Sequence, residues 1–565
     1  MSYHSAFEIG RSALFASQAA IQIAGHNMAN ATTPGFHRRS IHLLPAQGGV
    51  IGTRMYMGNG VSIGSINREI DLALQARYRA SISREATLAI DQQFLVALET
   101  LQNELGEGSL SSSLDSFFGS FSELSNTGTD SALRTIALQQ GEVLTARISE
   151  LAAGYDGLAS EVSAGIENTV DAANGLLEQI ASLNEQIGTY EGSGNEASEL
   201  RDQRDLLVNQ LSQFIDVTAT EVSGGMIELR VGSTPILVGA ESRGLDAVRQ
   251  TDGNGNVTMS IRVGQNGSGL EVNGGSLHGL LTQQTETIGP AREALDTLAF
   301  ALINEVNRLH SQGQGERGWM QLTGTVGLDD PTAVLGGDAS GIVFPIDNGQ
   351  FTISLRDPDS GEIVQAFDIQ VDPQTMSLQD VVDQINAVSG GGISASIDGN
   401  GRLELLGTGG NELTFSDDSS GFLSAVGVNT FFTGSSAADI GISEALLASP
   451  ELLALGNGNV DGSTATALAI AGLQDSESSL LQGQAITDFW AGSVGTLGIR
   501  TSAGAGMFQS SSMVRENLAV QMMSVSGVSM DEETINLLAY ERQFEAAARY
   551  LSVVDETLEI LMNLV

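Results

Sequence analysis

The chain has 565 residues, a formal charge of −43 and no cysteine, and its 25 basic residues are all arginine. The missing cysteines exclude a disulfide framework, a thiolate metal site and a cysteine nucleophile. The acidic balance leaves no basic face for phosphate, which excludes nucleic acid as a partner, and the length accommodates about three to four domains.

Residues 4–31 read as a first helix, stopped by Pro34 and Gly35. Phe7, Leu14, Ile21 and Met28 recur every seventh residue, and three positions further on stand Gly10, Ser17, Ala24 and Ala31, all small. Alternating large and small heptad positions let a partner helix approach closely. Residues 36–67 change to period two, with Val50, Val61, Ile63 and Ile66 around a Gly58-Asn59-Gly60 turn, which predicts short strands. Helical periods return over 71–105, 109–125, 131–190 and 196–214. Helices this long pack most naturally as an antiparallel bundle.

At Val217 the character changes again. Residues 217–285 alternate apolar and polar side chains between glycine turns such as Asp252-Gly253-Asn254-Gly255, and predict a β domain. A helix follows over 291–309. Residues 336–430 read as a small α/β insertion, with strands at 351–355, 366–371, 393–397 and 402–406 and a helix at 377–388. Residues 431–485 are mixed, and two helices cover 486–525 and 529–564.

The last helix carries the clearest pattern. Met530, Leu537, Phe544, Leu551, Leu558 and Val565 lie seven apart, and Glu533, Tyr540, Ala547, Val554 and Leu561 follow five of them by three. From Leu537 onward this is an unbroken coiled-coil seam, started by Ser529 as N-cap and an acidic first turn. The two ends also differ in charge. Residues 1–84 hold eight Arg against Glu8, Glu69 and Asp71, a net of +5, whereas 528–565 hold eight acids against Arg542 and Arg549, a net of −6. The ends are therefore expected to pair, with Phe7, Leu14, Ile21 and Met28 facing Leu537, Phe544, Leu551 and Leu558.

Catalytic motifs are weak. Gly60-Val61-Ser62-Ile63-Gly64 matches a nucleophile elbow, but its neighbours alternate as in a plain strand. Gly313–Gly318 matches a dinucleotide fingerprint, yet follows a helix rather than a strand. Asp398-Gly399-Asn400-Gly401-Arg402 would place a cation where a calcium loop needs an oxygen, so a hairpin turn is expected. His37 and His42 lie close, without further ligands in a metal-binding spacing. No enzyme, cofactor or metal is expected. No stretch approaches the ~18–20 apolar residues of a membrane helix, and the N-terminus lacks a cleavable signal pattern.

Two motifs stand apart: Asn27-Met28-Ala29-Asn30-Ala31-Thr32-Thr33-Pro34-Gly35-Phe36-His37-Arg38, and Ser526-Gly527-Val528-Ser529-Met530-Asp531-Glu532-Glu533 continuing through Tyr540 to Arg549. With Asn184-Glu185-Gln186-Ile187 and Leu200–Leu207, the chain resembles the axial proteins of the bacterial flagellum (rod, hook and hook-associated proteins), most of all the hook-associated branch. The resemblance is strong over about 1–216 and 465–565, weaker over 217–335, and at 336–430 extends only to the variable outer domains of that family. Phe36 stands where the family more often has Tyr, a loss of one hydroxyl.

The resemblance implies a structural subunit of the hook–filament junction, extracellular and exported through the flagellar type III apparatus. Its partners would be copies of itself, the hook protein, the second junction protein and a cytoplasmic export chaperone, with neither nucleic acid nor membrane. A hook or distal-rod protein, or a secreted adhesin or enzyme on a flagellar frame, are the alternatives. The expected fold is multidomain α+β. Residues 1–35 and 527–565 form a terminal coiled-coil assembly domain. Residues 36–216 and 465–526 form a helical bundle with a short β segment, 217–335 and 431–464 a β-rich domain, and 336–430 the inserted outer domain. The assembly residues are Phe7, Leu14, Ile21, Met28, Leu537, Tyr540, Phe544, Leu551, Val554, Leu558 and Leu561, with Asn30, Pro34, Gly35 and Phe36 fixing the exit from the first helix. Burial of the seam offsets backbone ordering only marginally, so the isolated chain is expected to have unstructured ends.

Overall fold

The computed structural model describes residues 3–51, 55–106, 108–127, 130–192, 196–251, 257–264, 267–458, 460 and 462–563. Val565 and the turn expected at Asp252–Gly255 lie outside them.

The chain opens with α1 (Tyr3–Ala29) and a nested pair of hairpins. In these, β1 (Arg39–Pro45) pairs antiparallel with β4 (Val61–Arg68), and β2 (Gly49–Ile51) with β3 (Met55–Met57). Four helices follow: α2 (Leu72–Gln102), α3 (Leu110–Asn126), α4 (Ser131–Glu191) and α5 (Ser198–Phe214). None contains an internal proline, which is what permits the 61-residue run of α4.

A four-stranded antiparallel sheet comes next, β5 (Thr218–Glu221), β6 (Ile227–Val231), β7 (Thr234–Val238) and β8 (Glu241–Ser242), then the hairpin β9 (Leu245–Thr251) and β10 (Val257–Val263). The expected β domain stops earlier than 285. Residues 275–282 form α6 (Gly275–Thr282), and a π-helical turn at 283–288 leads into α7 (Gly289–Ser311). Gly275 explains the change of direction: its φ is +82°, and a Cβ there would lie 2.3 Å from the Phe214 carbonyl oxygen.

The insertion is built as expected, with two additions. Strands β12 (Gly349–Arg356), β13 (Ile363–Val371), β14 (Ile393–Ile397) and β15 (Leu403–Gly407) and helix α8 (Leu378–Ser389) all form. Ser377 and Asp380 close a reciprocal cap at the start of α8. The additions are β11 (Gln321–Thr323), which pairs with β15, and β16 (Glu412–Ser416), which pairs with β12. Every residue of β16 is buried, so it shows no alternation by which to read it. The rest comprises α9 (Phe422–Ala425), the short pair β17 (Phe432–Thr433) and β18 (Gly441–Ile442), α10 (Glu444–Ala448), α11 (Ala465–Gly472), α12 (Ile486–Ser526) and α13 (Met530–Met562).

The chain divides into two compact units, one of residues 1–93, 161–284 and 503–565, the other of 94–160 and 285–502. The division thus runs through the first of the β-rich segments grouped by sequence, leaving 217–284 in one unit and 285–335 in the other together with 431–464. The reason is visible in the second unit. There Phe431 and Phe432 pack at 4.8 Å between ring centroids and join Phe117 and Phe121 of α3 in one fully buried aromatic cluster. Such a cluster contributes beyond its buried area, and it ties 431–433 to a helix rather than to the strands of 217–263.

His310 on α7 is fully buried in the same unit. Its Nδ1–H donates to the Asn429 carbonyl at 2.8 Å, and its Nε2 accepts from the Ala454 N–H at 3.0 Å. Burial pushes this imidazole down from 6.5 to about 4. The folded state therefore binds fewer protons than the unfolded state between these values. The resulting stability is present in full above pH 6.5 and is lost as pH falls toward 4, amounting to about 3 kcal/mol. Urea unfolding at a series of pH values measures this. The slope over that window is expected to flatten in His310→Gln.

Candidate assembly site at the paired chain ends

Helix α1 packs against α13 in the first unit. The two run antiparallel: Gly10 lies against Leu551, and Asn27 near the other end reaches Glu533. The small residues make the close approach. Gly10, Ser17 and Ala24, with Ala16 and Ala20, are the buried face of α1, and a Cβ on Gly10 would meet Leu551 at 2.6 Å. Phe7 (44% exposed) and the half-buried Leu14, Ile21 and Met28 flank this face rather than forming its centre. The large residues were expected to face the partner, but α13 itself supplies the large side chains, and they need a shallow surface to enter.

On α13, Leu537, Tyr540, Phe544, Leu551 and Leu558 are half-buried, and Ala547 and Val554 are buried. Leu561 is 40% exposed and falls outside the covered seam. Ser529 caps the helix by accepting the Glu532 N–H. The expectation of unstructured ends does not match: both helices form and pack within one chain. Seam burial alone omitted the polar contacts that hold them.

The chief of these contacts is Glu533, only 3% exposed at a seam position where a hydrophobe would be usual. Arg38 donates to its carboxylate from Nε at 2.8 Å, and Asn27 donates from Nδ2 at 3.1 Å. Asn27 also donates to the Arg39 carbonyl at 2.9 Å and accepts the Arg39 N–H at 3.0 Å, while the Arg38 N–H reaches the Ser526 carbonyl at 2.9 Å. One buried carboxylate thus joins α1, the start of β1 and the α12–α13 turn. A charge is tolerated there because both oxygens are hydrogen-bonded.

The exit from α1 is built for this. Asn30 donates from Nδ2 to the His26 carbonyl at 3.0 Å, and Thr33 from Oγ1 to Asn30 Oδ1 at 3.2 Å. Exposed Pro34 ends the helical hydrogen bonding, and Gly35 adopts a φ of +78° against Leu206 of α5. The Phe36 ring lies 5.5 Å from His26 and carries the Arg39 guanidinium at 5.4 Å. Next in sequence, His37 contacts Asp202 at 2.7 Å, so it is held by a carboxylate of α5 rather than by a metal partner in His42. Arg68 bridges Asp202 and Asp205, each at 2.9 Å, and Arg79 reaches Asp205 at 3.4 Å. Burial pushes the Asp205 carboxyl up, but Arg68, Arg79 and Arg204 outweigh it and hold it below the ordinary carboxylate range.

The remaining motif residues meet in a second buried hub. Asn184 donates to the Ile227 and Gly239 carbonyls at 2.8 and 2.7 Å, and Arg204 donates to the Gly225 carbonyl at 2.6 Å. The hub fastens the β5–β8 sheet to α4 and α5. Its residues carried the sequence resemblance without being read as a contact. The catalytic look-alikes resolve otherwise. Ser62 lies in β4 and donates to the Leu44 carbonyl, and Asp398 caps the β14–β15 turn. Gly313–Gly318 is a loop tied to Gly456 and Glu412. No helix among the described residues is long and apolar enough to cross a membrane.

Three family models match the chain. The helical domain of flagellar hook-associated protein FlgK matches residues 95–329, the flagellin hook IN motif 351–409, and the C-terminal region of flagellar basal body rod FlgEFG proteins 519–564. The chain is 26% identical over 574 residues to flagellar hook-associated protein 1 of Salmonella typhimurium, covering 98% of both chains. It is 25% identical to the protein of that name from Bacillus subtilis, covering 98% of this chain and 97% of the relative. The flagellar hook junction protein FlgK of Burkholderia pseudomallei shares the fold, with a TM-score of 0.52 and 15% identity over 80% of this chain and all of that one.

Removing the carboxylate in Glu533→Ala takes one partner each from Arg38, which keeps Glu532 at 3.2 Å, and from Asn27, which keeps Arg39, and is expected to cost about 1.5–3 kcal/mol. Hydrogen exchange of the monomer reads this as roughly ten- to hundredfold faster exchange of α1 and α13 amides. Unchanged exchange contradicts the role assigned to Glu533.

Proposed function

The chain belongs to the family of flagellar hook-associated protein 1, structural components of the hook–filament junction, and from that premise we propose that its paired terminal helices are the element by which it assembles there. The relatives of that name match over 98% of the chain, and this carries the reading. It also favours the junction over a hook or rod subunit, which shares the terminal motifs alone. The relatives are structural proteins, and no catalytic role is proposed.

The helix pair supports assembly by what it leaves uncovered. Ile535, Leu538 and Val553 on α13, Phe15 on α1 and Met513, Val520 and Met523 on α12 are all exposed. Rows of this kind mark interaction surfaces. In this reading Phe7, Leu14, Ile21 and Met28 serve the same purpose from the flanks of α1, and Leu561 from the end of α13. Residues 1–35 and 527–565 act as the assembly domain, and 336–430 remains surface-exposed in the finished layer. Neighbouring copies, the hook protein and the second junction protein are the partners. A cytoplasmic chaperone shields the apolar rows before export through the type III apparatus, and the −43 charge keeps subunits apart until then.

Immunogold labelling of detached flagella with antibody against residues 336–430 tests the reading. A single narrow band between hook and filament is expected; label along the hook, or confined to the cell body, overturns it. In cells carrying Leu551→Asp or Phe544→Asp the band is expected to vanish while soluble subunit persists, because each places a charge in the seam.

A further inference from the structure

A cavity of about 620 Å³ opens in the first unit, bounded by α2, α5, the start of the β5–β6 sheet and the loop before α6. This is the size of a small-molecule site. The side chains of Arg68, Arg79 and Arg204 stand buried in its wall. Asp205 serves all three, at 2.9 Å from Arg68, 3.4 Å from Arg79 and 4.0 Å from Arg204. Asp202 also pairs with Arg68, at 2.9 Å, but among the described residues no second carboxylate lies within 4 Å of Arg79 or Arg204. Glu221 is exposed and pairs with Arg201, and Asp216 accepts the Asn273 N–H. Burial pulls the Arg204 guanidinium down to about 10 and pushes the Asp216 carboxyl up. Both directions follow from burial, which disfavours the charged form of each group.

The same wall presents donors that the fold does not use. Gln75 Nε2, Ser83 Oγ and Arg204 Nε are buried, line the cavity and have no hydrogen-bond partner among the described residues. Buried donors of this kind are normally paired, because leaving one unmade forfeits its full solvation. Leu72, Ala76 and Val217 give the remaining wall an apolar character. We propose that this cavity binds a small organic anion, its oxyanion group received by Gln75, Ser83 and Arg204 and its apolar body lying against Leu72, Ala76 and Val217. The surface of so acidic a chain repels such ligands, so the site draws them by preorganised donors and local charge rather than by the long-range field.

Isothermal titration of the full chain at pH 7 and constant ionic strength in chloride tests this, with inorganic phosphate and benzoate as separate probes. Saturable one-to-one binding of at least one probe is expected. Preference for phosphate assigns a phosphorylated ligand, and preference for benzoate a carboxylate with an apolar body. Gln75→Leu and Ser83→Ala, which leave the Arg–Asp pairs intact, are each expected to weaken binding roughly tenfold. No saturable binding of either probe overturns the proposal, as does binding that both variants leave unchanged.

Discussion

The buried carboxylate of Glu533 is the constraint on which the first unit turns. A charge removed from water is tolerated only when its hydrogen-bonding capacity is met, and here the donors come from residues about 500 positions away. Arg38 and Asn27 can meet that carboxylate only if α1 and α13 lie antiparallel in one register. A slip of one helical turn would strand both the acid and the arginine. The hydrophobic seam supplies attraction without much preference for register; the polar contact supplies the preference, as single buried polar residues do in coiled coils.

The neighbouring contacts extend the constraint. Arg38 lies next to His37, whose ring meets Asp202 of α5, and Asp202 is shared with Arg68 at the end of β4. The terminal pair is thus fixed to the helices and the β1–β4 hairpin through consecutive residues of one short segment. Asn184 and Arg204 then fasten the β5–β8 sheet to the same helices. A helix pair held this firmly on its inner side can keep apolar rows on its outer side without collapsing onto them, which suits a subunit that must meet several neighbours.

Much of this was legible in the sequence, and the exceptions share a cause. Every long helix was visible because none is interrupted by proline in its interior, and most carry a 3.6-residue period, though α12 does not. The strands of the insertion were visible from alternation and from glycine turns. Strand β16 was not, because it is buried on both faces, and α6 was not, because its eight residues are too few to show a period. The heptads located the seam but not which face of α1 would be central. Small residues look inert in a sequence, yet Gly10, Ser17 and Ala24 set the distance of approach. Glu533 stood out as the one acid at a seam position, but its partners are remote in sequence. Spacing cannot show a contact between residues 38 and 533. For the same reason the cavity of Gln75, Ser83 and Arg204 left no motif.

The absence of native cysteine allows the register to be read directly. Cysteines at Gly10 and Leu551, positions so close that a Cβ on Gly10 would meet Leu551 Cδ2 at 2.6 Å, should form an intramolecular disulfide rapidly in dilute monomer under mild oxidation. Gly10→Cys with Leu558→Cys, two turns further along α13, should not. Efficient closure of the first pair alone is the predicted result. Equal closure of both, or disulfides only between chains, would contradict a terminal pair fixed in one register within the subunit.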